Sequence, residues 1–389
     1  MKKRYLAVLL ALIVPLAFIA AGCGGDDDGE ATDAATVPGE VVSCTGSVAI
    51  MAPITGDAAS IGAEQVNFMR FALQRFNEQN GTDYQLEEFD TQLDPAQAST
   101  AAQRIVSNDD FLGVVGPAGS QEVEAAGPIF ERAGIAYISG SATATTLTEG
   151  GDYPHFSRSV PYDDIQGPTD AEFIADQLTA ENVWVIDDQS SYSTGLADAA
   201  QQTLEEAGVN VQRESITQQQ NDFSALVSRV ADADVIFIPW QLANQGQVFG
   251  QQLAEQGSDA VLFGADGLLT DEFNIEGAYV SSFAPDIRSI ESSAELVEAY
   301  EADFGEFTSP FGPPSYLATE ALLTGIQQAC DDAGGQPSRE QVFEALRSVT
   351  IDESILGGSF SLDDKGDPEG ATFYIFRVTG PGQYELQDS

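Results

Sequence analysis

Positively charged residues are scarce in this sequence. It contains 15 Lys and Arg against 62 Asp and Glu, which gives a formal net charge of −47 at pH 7. An acidic surface of this strength repels phosphate backbones, so the composition argues against binding to nucleic acid. High acidity is typical of a very soluble protein or of one adapted to a salty or crowded exterior, and it does not identify a ligand.

Histidine and cysteine are also rare, with one histidine, His155, and three cysteines. No cluster of these residues has the spacing of a zinc site, so we predict neither a metal nor a cofactor. The sequence has no Gly-x-Ser-x-Gly, no Gly-x-Gly-x-x-Gly and no phosphate loop ending in Gly-Lys-Ser/Thr. A binding protein without catalytic residues is therefore the leading hypothesis. A hydrolase that uses two carboxylates stays open as the enzyme alternative, because acids are abundant.

Long hydrophobic runs are lacking except at the start of the chain. Residues 5–21 form one apolar run of 17 residues, preceded by Lys2, Lys3 and Arg4 and followed by Gly22-Cys23. The run is short for a membrane span, and this order of charge, apolar run and small residues is typical of a secretory signal. The residues before Cys23 resemble a lipobox, in which the cysteine is acylated. We predict a lipoprotein signal peptide over 1–22 and an extracytoplasmic, lipid-anchored protein. The alternative is an ordinary signal peptide in which Cys23 is incidental.

The segment after Cys23 is predicted to be a flexible acidic linker over residues 23–43. Residues 24–42 contain six acidic and no basic side chains, together with many small residues. Such a segment buries too little apolar surface to fold. If Cys23 carries lipid, Cys44 and Cys330 remain as a pair in an oxidising compartment, and a disulfide between them is expected.

The remaining 346 residues are long enough for two domains. Short apolar runs, such as 47–51 and 183–186, alternate with segments of helical periodicity, such as 66–80 and 195–207. Asp94 is predicted to cap a further helix that begins at Pro95 and runs to about Val106. This alternation predicts an α/β fold with parallel sheets covered on both faces, in two doubly wound lobes. Ligands of such sheets bind at the carboxyl ends of strands. The predicted site therefore lies in the loops at residues 53–62, 116–121, 140–145, 187–194, 239–244 and 264–268.

These loops carry motifs of a known family. The motifs are Ala52-Pro-Ile-Thr-Gly-Asp-Ala-Ala-Ser-Ile-Gly62, Asp90-Thr-Gln-Leu-Asp-Pro-Ala-Gln97, Gly116-Pro-Ala-Gly-Ser-Gln121, Ser141-Ala-Thr-Ala144, Gln166-Gly-Pro168, Asp187-Asp-Gln-Ser-Ser-Tyr-Ser-Thr-Gly195, Gly264-Ala-Asp-Gly267 and Leu362-Asp-Asp-Lys-Gly-Asp367. In this order they resemble the type I periplasmic binding proteins, in the leucine/isoleucine/valine-binding group of ABC importers. The resemblance covers nearly the whole chain after the linker.

The resemblance implies two Rossmann-like lobes that are joined by three crossings and close on a ligand. The crossings would fall near residues 159–162, 282–285 and 356–358. Lobe one would comprise residues 44–160 and 284–356, and lobe two residues 161–283 and 357–389.

The resemblance also implies a site for the zwitterion of an amino acid. Ser120, at a helix start, would bind the carboxylate, and Thr143 would contact both charged groups. Asp266 would neutralise the ammonium from the opposite lobe, and Ser141 would offer it a backbone carbonyl. The implied ligand-binding residues are Ser120, Ser141, Ala142, Thr143, Tyr192, Asp266 and Gly267. The implied side-chain pocket consists of Ile61, Ala118, Gly119, Trp240, Gln241 and Phe311.

Each residue also has a purely structural interpretation. Ser120 could be a helix cap, Asp266 a turn residue, and Tyr192 a half-buried surface residue. Trp240 and Phe311 could be ordinary core residues.

The sequence departs from the family at three places. Asp266 replaces the glutamate of the leucine-binding members, and Gln241 replaces a second tyrosine. The family's disulfide positions are Leu93 and Gly119 here, so that bridge is absent.

The predicted function is capture of a small amino acid, with the branched-chain type favoured, for the permease subunits of an ABC transporter. The alternatives are a binder of an amide, urea or aromatic acid with the same fold, and a ligand-sensing receptor subunit.

Overall fold

Two sheets organise the chain, and we call the elements built on the first sheet lobe one and those built on the second lobe two. The computed structural model describes residues 44–387. The first sheet contains β1 (Ser47–Ala52), β2 (Gln85–Asp90), β3 (Phe111–Val115), β4 (Ala136–Ser139) and β5 (Phe156–Arg158). Their spatial order is β2-β1-β3-β4-β5, and all neighbours are parallel. The helices between them are α1 (Ala59–Asn80), α2 (Pro95–Val106), α3 (Ser120–Ala133) and the short α4 (Thr146–Glu149).

Lobe two repeats the pattern. Its elements in chain order are α5 (Asp163–Glu172), a π-helical turn Phe173–Gln177, β6 (Asn182–Asp187), α6 (Ser191–Glu206), β7 (Asn210–Ser215), α7 (Ser224–Arg229), β8 (Val235–Ile238), α8 (Ala243–Glu255), β9 (Val261–Gly264), a 3-10 turn Asp266–Leu268 and β10 (Tyr279–Ser282). The chain then adds two 3-10 turns (Ile287–Ser289 and Glu291–Ser293), α9 (Ala294–Phe304), α10 (Gly312–Ala333), α11 (Arg339–Leu346), β11 (Thr350–Ile351), β12 (Phe360–Ser361), β13 (Tyr374–Gly380) and β14 (Gln383–Leu386). None of the helices within residues 44–387 has the length and apolar content needed to cross a membrane.

The predicted doubly wound α/β fold is confirmed. The second sheet has the order β14-β13-β10-β9-β8-β6-β7, and it is parallel from β10 to β7. β13 and β14 join its edge as antiparallel strands, whereas the alternation of strands and helices predicted parallel sheets only. β11 and β12 form a separate two-stranded sheet.

Strand β1 shows why parallel sheets form here. Val48 and Ile50 face a core shared with α1 and α10, while Ala49 and Met51 face the other core, under α2 and α3. Both faces of the strand are therefore buried, which matches its continuous apolar sequence.

The helix boundaries follow local chemistry. Asp94 caps α2 by accepting a hydrogen bond from the Gln97 N–H at 2.8 Å, and Pro95 occupies the first helical position, as predicted. α1 and α6 begin earlier than predicted, at Ala59 and Ser191. The early start of α6 places Tyr192 in the first helical turn.

The lobes meet through a small apolar cluster at the crossings. Its buried members are Ala58, Ile61, Val160, Leu242, Phe283, Ala284, Phe311 and Phe373. Phe360 and Leu362 belong to the core of lobe one. We therefore move the third crossing from residues 356–358 to the segment between Asp367 and β13. The other lobe boundaries stay predictions.

Cys44 and Cys330 are joined by a disulfide, the pairing expected from the cysteine count. Their Cα atoms lie 6.2 Å apart, within the usual range for such bonds. The bond ties the start of the described chain to the end of α10. Cys23, the predicted lipidation site, lies outside the described residues.

Candidate functional site

A cavity lies between the two lobes at the carboxyl ends of the strands. Its lining residues are Ile61, Leu93, Ala118, Gly119, Ser120, Ser141, Tyr192, Gln241, Asp266, Gly267 and Phe311, and its volume is about 320 Å³ including the mouth. All six loops predicted from the sequence contribute at least one of these residues.

A larger cavity, of about 490 Å³, opens beside Pro285 and Phe307. Its one basic group, Arg288, is already paired with Asp286 at 2.8 Å. The strand-end cavity is the better candidate site, because acidic, hydroxyl and helix-terminal groups converge in it.

Lobe one presents the start of helix α3 to the cavity. Ser120 is 1% exposed, and its hydroxyl accepts a hydrogen bond from the Ala144 N–H at 3.2 Å. The N–H of Gly119 donates to the carboxylate of Glu122 at 2.9 Å, which fixes the backbone just before the helix. The first N–H groups of a helix lack helical partners and carry a partial positive charge. This wall is therefore suited to an anionic group.

The loop after β4 contributes Ser141 to the cavity lining, next to Ser120. The Ser141 hydroxyl donates to the Ala118 carbonyl at 2.8 Å and accepts from the Gln65 side chain at 2.8 Å. The Ser139 hydroxyl accepts from the N–H groups of Ser141 and Ala142, at 3.2 and 3.0 Å. These bonds hold the loop in one conformation, so the Ser141 carbonyl is fixed before a ligand arrives.

Lobe two supplies the acid. Asp266 is 3% exposed, and its Oδ1 accepts hydrogen bonds from Gln166 Nε2 at 2.6 Å and from the Tyr192 hydroxyl at 2.9 Å. Burial raises the pKa of Asp266 to about 6, although both hydrogen bonds favour the ionised form. Gly267 is required next to it, because a Cβ there would lie 2.4 Å from the Trp240 carbonyl oxygen.

Two further buried acids lie near Asp266. Burial raises the pKa of Asp163 to about 8 and that of Asp170 well above the usual range, and the charge of Asp266 raises both further. Ser281 connects Asp170 to Gln166, with hydrogen bonds of 2.9 Å on either side. Arg158, whose charge lowers the pKa of Asp163, is paired with Asp367 at 2.5 Å. This side of the cavity therefore favours a cationic group.

The cavity also has an apolar part. Ile61, Leu93, Ala118 and Phe311 line it, together with Gly119 and the side chain of Gln241. Phe311 packs edge-on against Phe283 at a centroid distance of 5.2 Å, which fixes its ring at the crossing.

Trp240 was wrongly predicted to line the side-chain pocket. Its side chain is fully buried in the core of lobe two, where it packs against Phe223 and Phe249 and donates from Nε1 to the Ile186 carbonyl at 2.7 Å. It therefore does not line the cavity, and the core interpretation is the right one.

Ala142 and Thr143 lie one layer behind the cavity wall. The carbonyl of Ala142 accepts from Arg158, and the carbonyl of Thr143 accepts from the Asp163 N–H at 2.9 Å. The remaining predicted site residues all line the cavity.

Gln166, Asp163 and Asp170 were not predicted to be parts of the site. Gln166 lies in a motif that supported the family resemblance, so a signal existed for it. Asp163 and Asp170 are two of many acids, and only their burial distinguishes them.

Comparisons with known proteins identify the family of the chain. Residues 46–383 match the family model described as periplasmic binding protein. A leucine-, isoleucine-, valine-, threonine- and alanine-binding protein of Pseudomonas aeruginosa is 30% identical over 340 residues, which cover 85% of this chain and 88% of that relative.

Two solved structures share the fold. A leucine binding protein from Thermotoga maritima has a TM-score of 0.80 at 22% identity and covers 88% of this chain and 98% of its own. A branched-chain amino acid transporter substrate binding protein from Streptococcus pneumoniae, in complex with isoleucine, has a TM-score of 0.78 at 21% identity and covers 89% of this chain and 100% of its own.

Two lobes around a strand-end cavity define a bilobal solute-binding protein. The chain belongs to the periplasmic binding protein family, in the type I group of the leucine-, isoleucine- and valine-binding proteins. The resemblance inferred from the motifs is confirmed.

Proposed function

We propose that this protein captures a small amino acid, of the branched-chain type in the first place, and delivers it to the permease of an ABC importer. One observation carries the proposal: a buried acid of lobe two and a helix start of lobe one line the same cavity. An α-amino acid carries an ammonium and a carboxylate on one carbon. It can therefore pair with the acid and with the helix start at the same time.

The apolar wall supports an aliphatic side chain. Ile61, Leu93 and Phe311 offer hydrocarbon surface, while Ala118 and Gly119 leave room beside it. Burying a side chain of three or four carbons contributes about 1.5–3 kcal/mol, which suits a pocket of this character. The names of the Pseudomonas aeruginosa relative and of both solved structures point to the same ligand class.

Within this function, Asp266 is the ionic partner of the ammonium, and Ser120 and Thr143 bind the carboxylate. Thr143 is buried, and its hydroxyl has no hydrogen-bond partner among the described residues, so a small rearrangement is needed for it to reach a ligand. Tyr192 holds Asp266 and covers the ligand.

The protein acts outside the cytoplasm, as its family does, and we propose that a diacylated Cys23 holds it to the membrane. Two acyl chains give stable anchoring, whereas one gives only weak binding. Metabolic labelling with palmitate tests this directly. The label and membrane fractionation should both be lost in Cys23→Ser, and a retained label would contradict lipidation at this residue.

Mass spectrometry of the ligand released from purified protein tests the proposed function. A branched-chain or other small amino acid is the expected result, and titration calorimetry should then show binding to a single site. An amide, urea or an aromatic acid in the released fraction would favour the alternative binder with the same fold.

A matched pair of variants isolates the ionic contact. Asp266→Asn keeps the shape and removes the charge, and it should weaken binding by roughly 30-fold to several thousandfold, because a buried ammonium loses its partner. Asp271→Asn, on the exposed surface of the same lobe, serves as the control for the loss of one negative charge. Equal affinity of Asp266→Asn and wild type would remove the amino-acid assignment.

A further inference from the structure

Two glutamines connect the lobes at the edge of the cavity. Gln121 lies in the first turn of α3, directly after Ser120, and Gln241 follows β8 in lobe two. Gln121 Nε2 donates to Gln241 Oε1 at 2.9 Å, and Gln241 Nε2 donates to Gln121 Oε1 at 3.1 Å. The two primary amides therefore form a reciprocal pair, with one bond in each direction across the cleft.

Lobe two holds its half of the pair firmly. Gln218 Nε2 donates to the same Gln241 oxygen at 2.9 Å, and it also donates to Asp188 at 3.2 Å. Asp188 in turn accepts from the backbone N–H of Gln241 at 2.9 Å. Gln241 is 6% exposed, so its amide is positioned before it meets Gln121.

Gln241 of this pair also contributes to the wall of the side-chain pocket. Gln241 lines the cavity beside Gly119 and Phe311. Both lone pairs of its oxygen are occupied, by Gln121 and Gln218, and one of its two N–H donors is used by Gln121. An amide that is already paired in this way offers little to a polar ligand group, and its side chain occupies part of the cavity lining.

We propose that Gln121 and Gln241 form a latch that holds the lobes closed over the ligand and limits the length of the ligand side chain. The proposal rests on the proposed function, because a ligand must occupy the cavity for the latch to determine its release. When the lobes separate, both bonds break and water replaces them. Two neutral hydrogen bonds of this kind correspond to about 5- to 100-fold in the closed-to-open equilibrium.

Stopped-flow dissociation of L-leucine and L-valine tests the latch. Gln121→Ala and Gln241→Ala should each raise the dissociation rate about tenfold and leave the association rate within a factor of about three, because affinity changes in one interface fall mostly on dissociation. The double variant should dissociate no faster than Gln241→Ala, because each change alone already breaks the pair.

Ser60→Ala is the matched control. The Ser60 hydroxyl also reaches the opposite lobe, at Glu272 and 3.2 Å, but this bond is solvent-exposed and should contribute little. Its dissociation rate should equal that of wild type. Unchanged rates in both glutamine variants, or rates that multiply in the double variant, would overturn the latch.

Side-chain selectivity gives a second readout. Gln241→Ala opens this wall of the pocket and should improve the ratio of L-phenylalanine to L-valine affinity at least about tenfold, whereas Gln121→Ala leaves the wall in place and should shift this ratio less. Equal selectivity in the two variants would contradict the role of Gln241 in the wall of the pocket.

Spin labels on Gln103 and Gln251, exposed positions of α2 and α8, separate a failure of the latch from a failure of the proposed function. If wild type binds no amino acid, the proposed function fails. The latch is then tested by the distances between the two labels in the ligand-free protein. Gln121→Ala should then populate longer distances than wild type. Identical distance distributions would overturn the latch.

Discussion

At the scale of single residues, the environment of Asp266 makes ligand binding dependent on pH. The ammonium of the ligand pairs with the ionised carboxylate, whose pKa is raised to about 6 by burial. Burial raises the pKa of Asp163 to about 8, so this carboxyl stays neutral below pH 6, and it raises the pKa of Asp170 well above its usual range. Affinity for L-leucine should fall up to about tenfold per pH unit below pH 6. Titration calorimetry between pH 4.5 and 8 measures this, and a pH-independent affinity would contradict it.

The same raised pKa has the opposite effect on the ligand-free protein. A carboxyl whose pKa rises from 3.8 to about 6 on folding contributes stability that is complete below pH 3.8 and is lost as the pH rises through 6. The difference between these two pKa values corresponds to a change on the order of 3 kcal/mol in the free energy of unfolding. Between pH 4.5 and 7, the melting temperature of ligand-free wild type should therefore fall relative to that of Asp266→Asn. Parallel pH profiles of the two proteins would show that Asp266 does not titrate as described.

The family resemblance pointed to Ser120, Tyr192 and Asp266, but nothing in the sequence pointed to Gln166 as a second partner of Asp266. Ser120, Tyr192 and Asp266 lie in strand-end loops, and the rule for parallel sheets brings such loops together. Gln166 contacts Asp266 from α5, one hundred residues away in the chain. A pairing of this kind depends on how helices pack against the sheet, and one sequence carries no periodic signal for it. Trp240 is the opposite case, a residue that was predicted to line the pocket and does not. Its indole packs into the core, whereas its neighbour Gln241 lines the cavity.

At the scale of elements, helix α1 depends on a close approach to the loop that follows β1. A Cβ on Gly62 would lie 2.0 Å from the Pro53 carbonyl oxygen, so Gly62→Ala must displace the helix start or the loop. We expect Gly62→Ala to destabilise the fold by about 1–3 kcal/mol and to weaken ligand binding, because the neighbouring Ile61 lines the cavity. Chemical denaturation and calorimetry measure the two effects.

Gly335→Ala is the control for this change. No atom lies within 4 Å of a Cβ built there, and the backbone is not left-handed. Its stability and affinity should match those of wild type. If Gly62→Ala keeps the stability and affinity of wild type, the loop after β1 adapts to the added Cβ, and the expectation is wrong.

Long periodic elements were predictable, and short or context-dependent ones were not. The bounds of α2 agree residue for residue, because Asp94, Pro95 and an apolar stripe mark it locally. β5 has three residues and β14 lies at a sheet edge, so neither carries the long apolar run typical of a buried strand. The start of α1 has no capping side chain, which explains why periodicity alone placed it seven residues too late.

At the scale of the whole molecule, the disulfide closes a loop that spans most of the chain. Cys44 and Cys330 are separated by 286 positions, so reduction frees a very long segment in the unfolded state. In the chain-entropy description, this bond contributes up to roughly 4–5 kcal/mol. The double variant Cys44→Ser/Cys330→Ser should therefore melt well below wild type while keeping the affinity for ligand, since both residues lie far from the cavity lining. Wild type under reducing conditions should behave like the variant, and equal melting temperatures would contradict a stabilising role.

The central claim is that the cavity recognises both charged groups of an amino acid at once. Calorimetry with three ligands of the same carbon skeleton tests it most directly: L-leucine, 4-methylpentanoate, which lacks the ammonium, and 3-methylbutylamine, which lacks the carboxylate. We expect L-leucine to bind at a single site and each analogue to bind at least about 30-fold more weakly, because each leaves one buried wall of the cavity without its partner. Binding of either analogue as tightly as L-leucine would contradict the account.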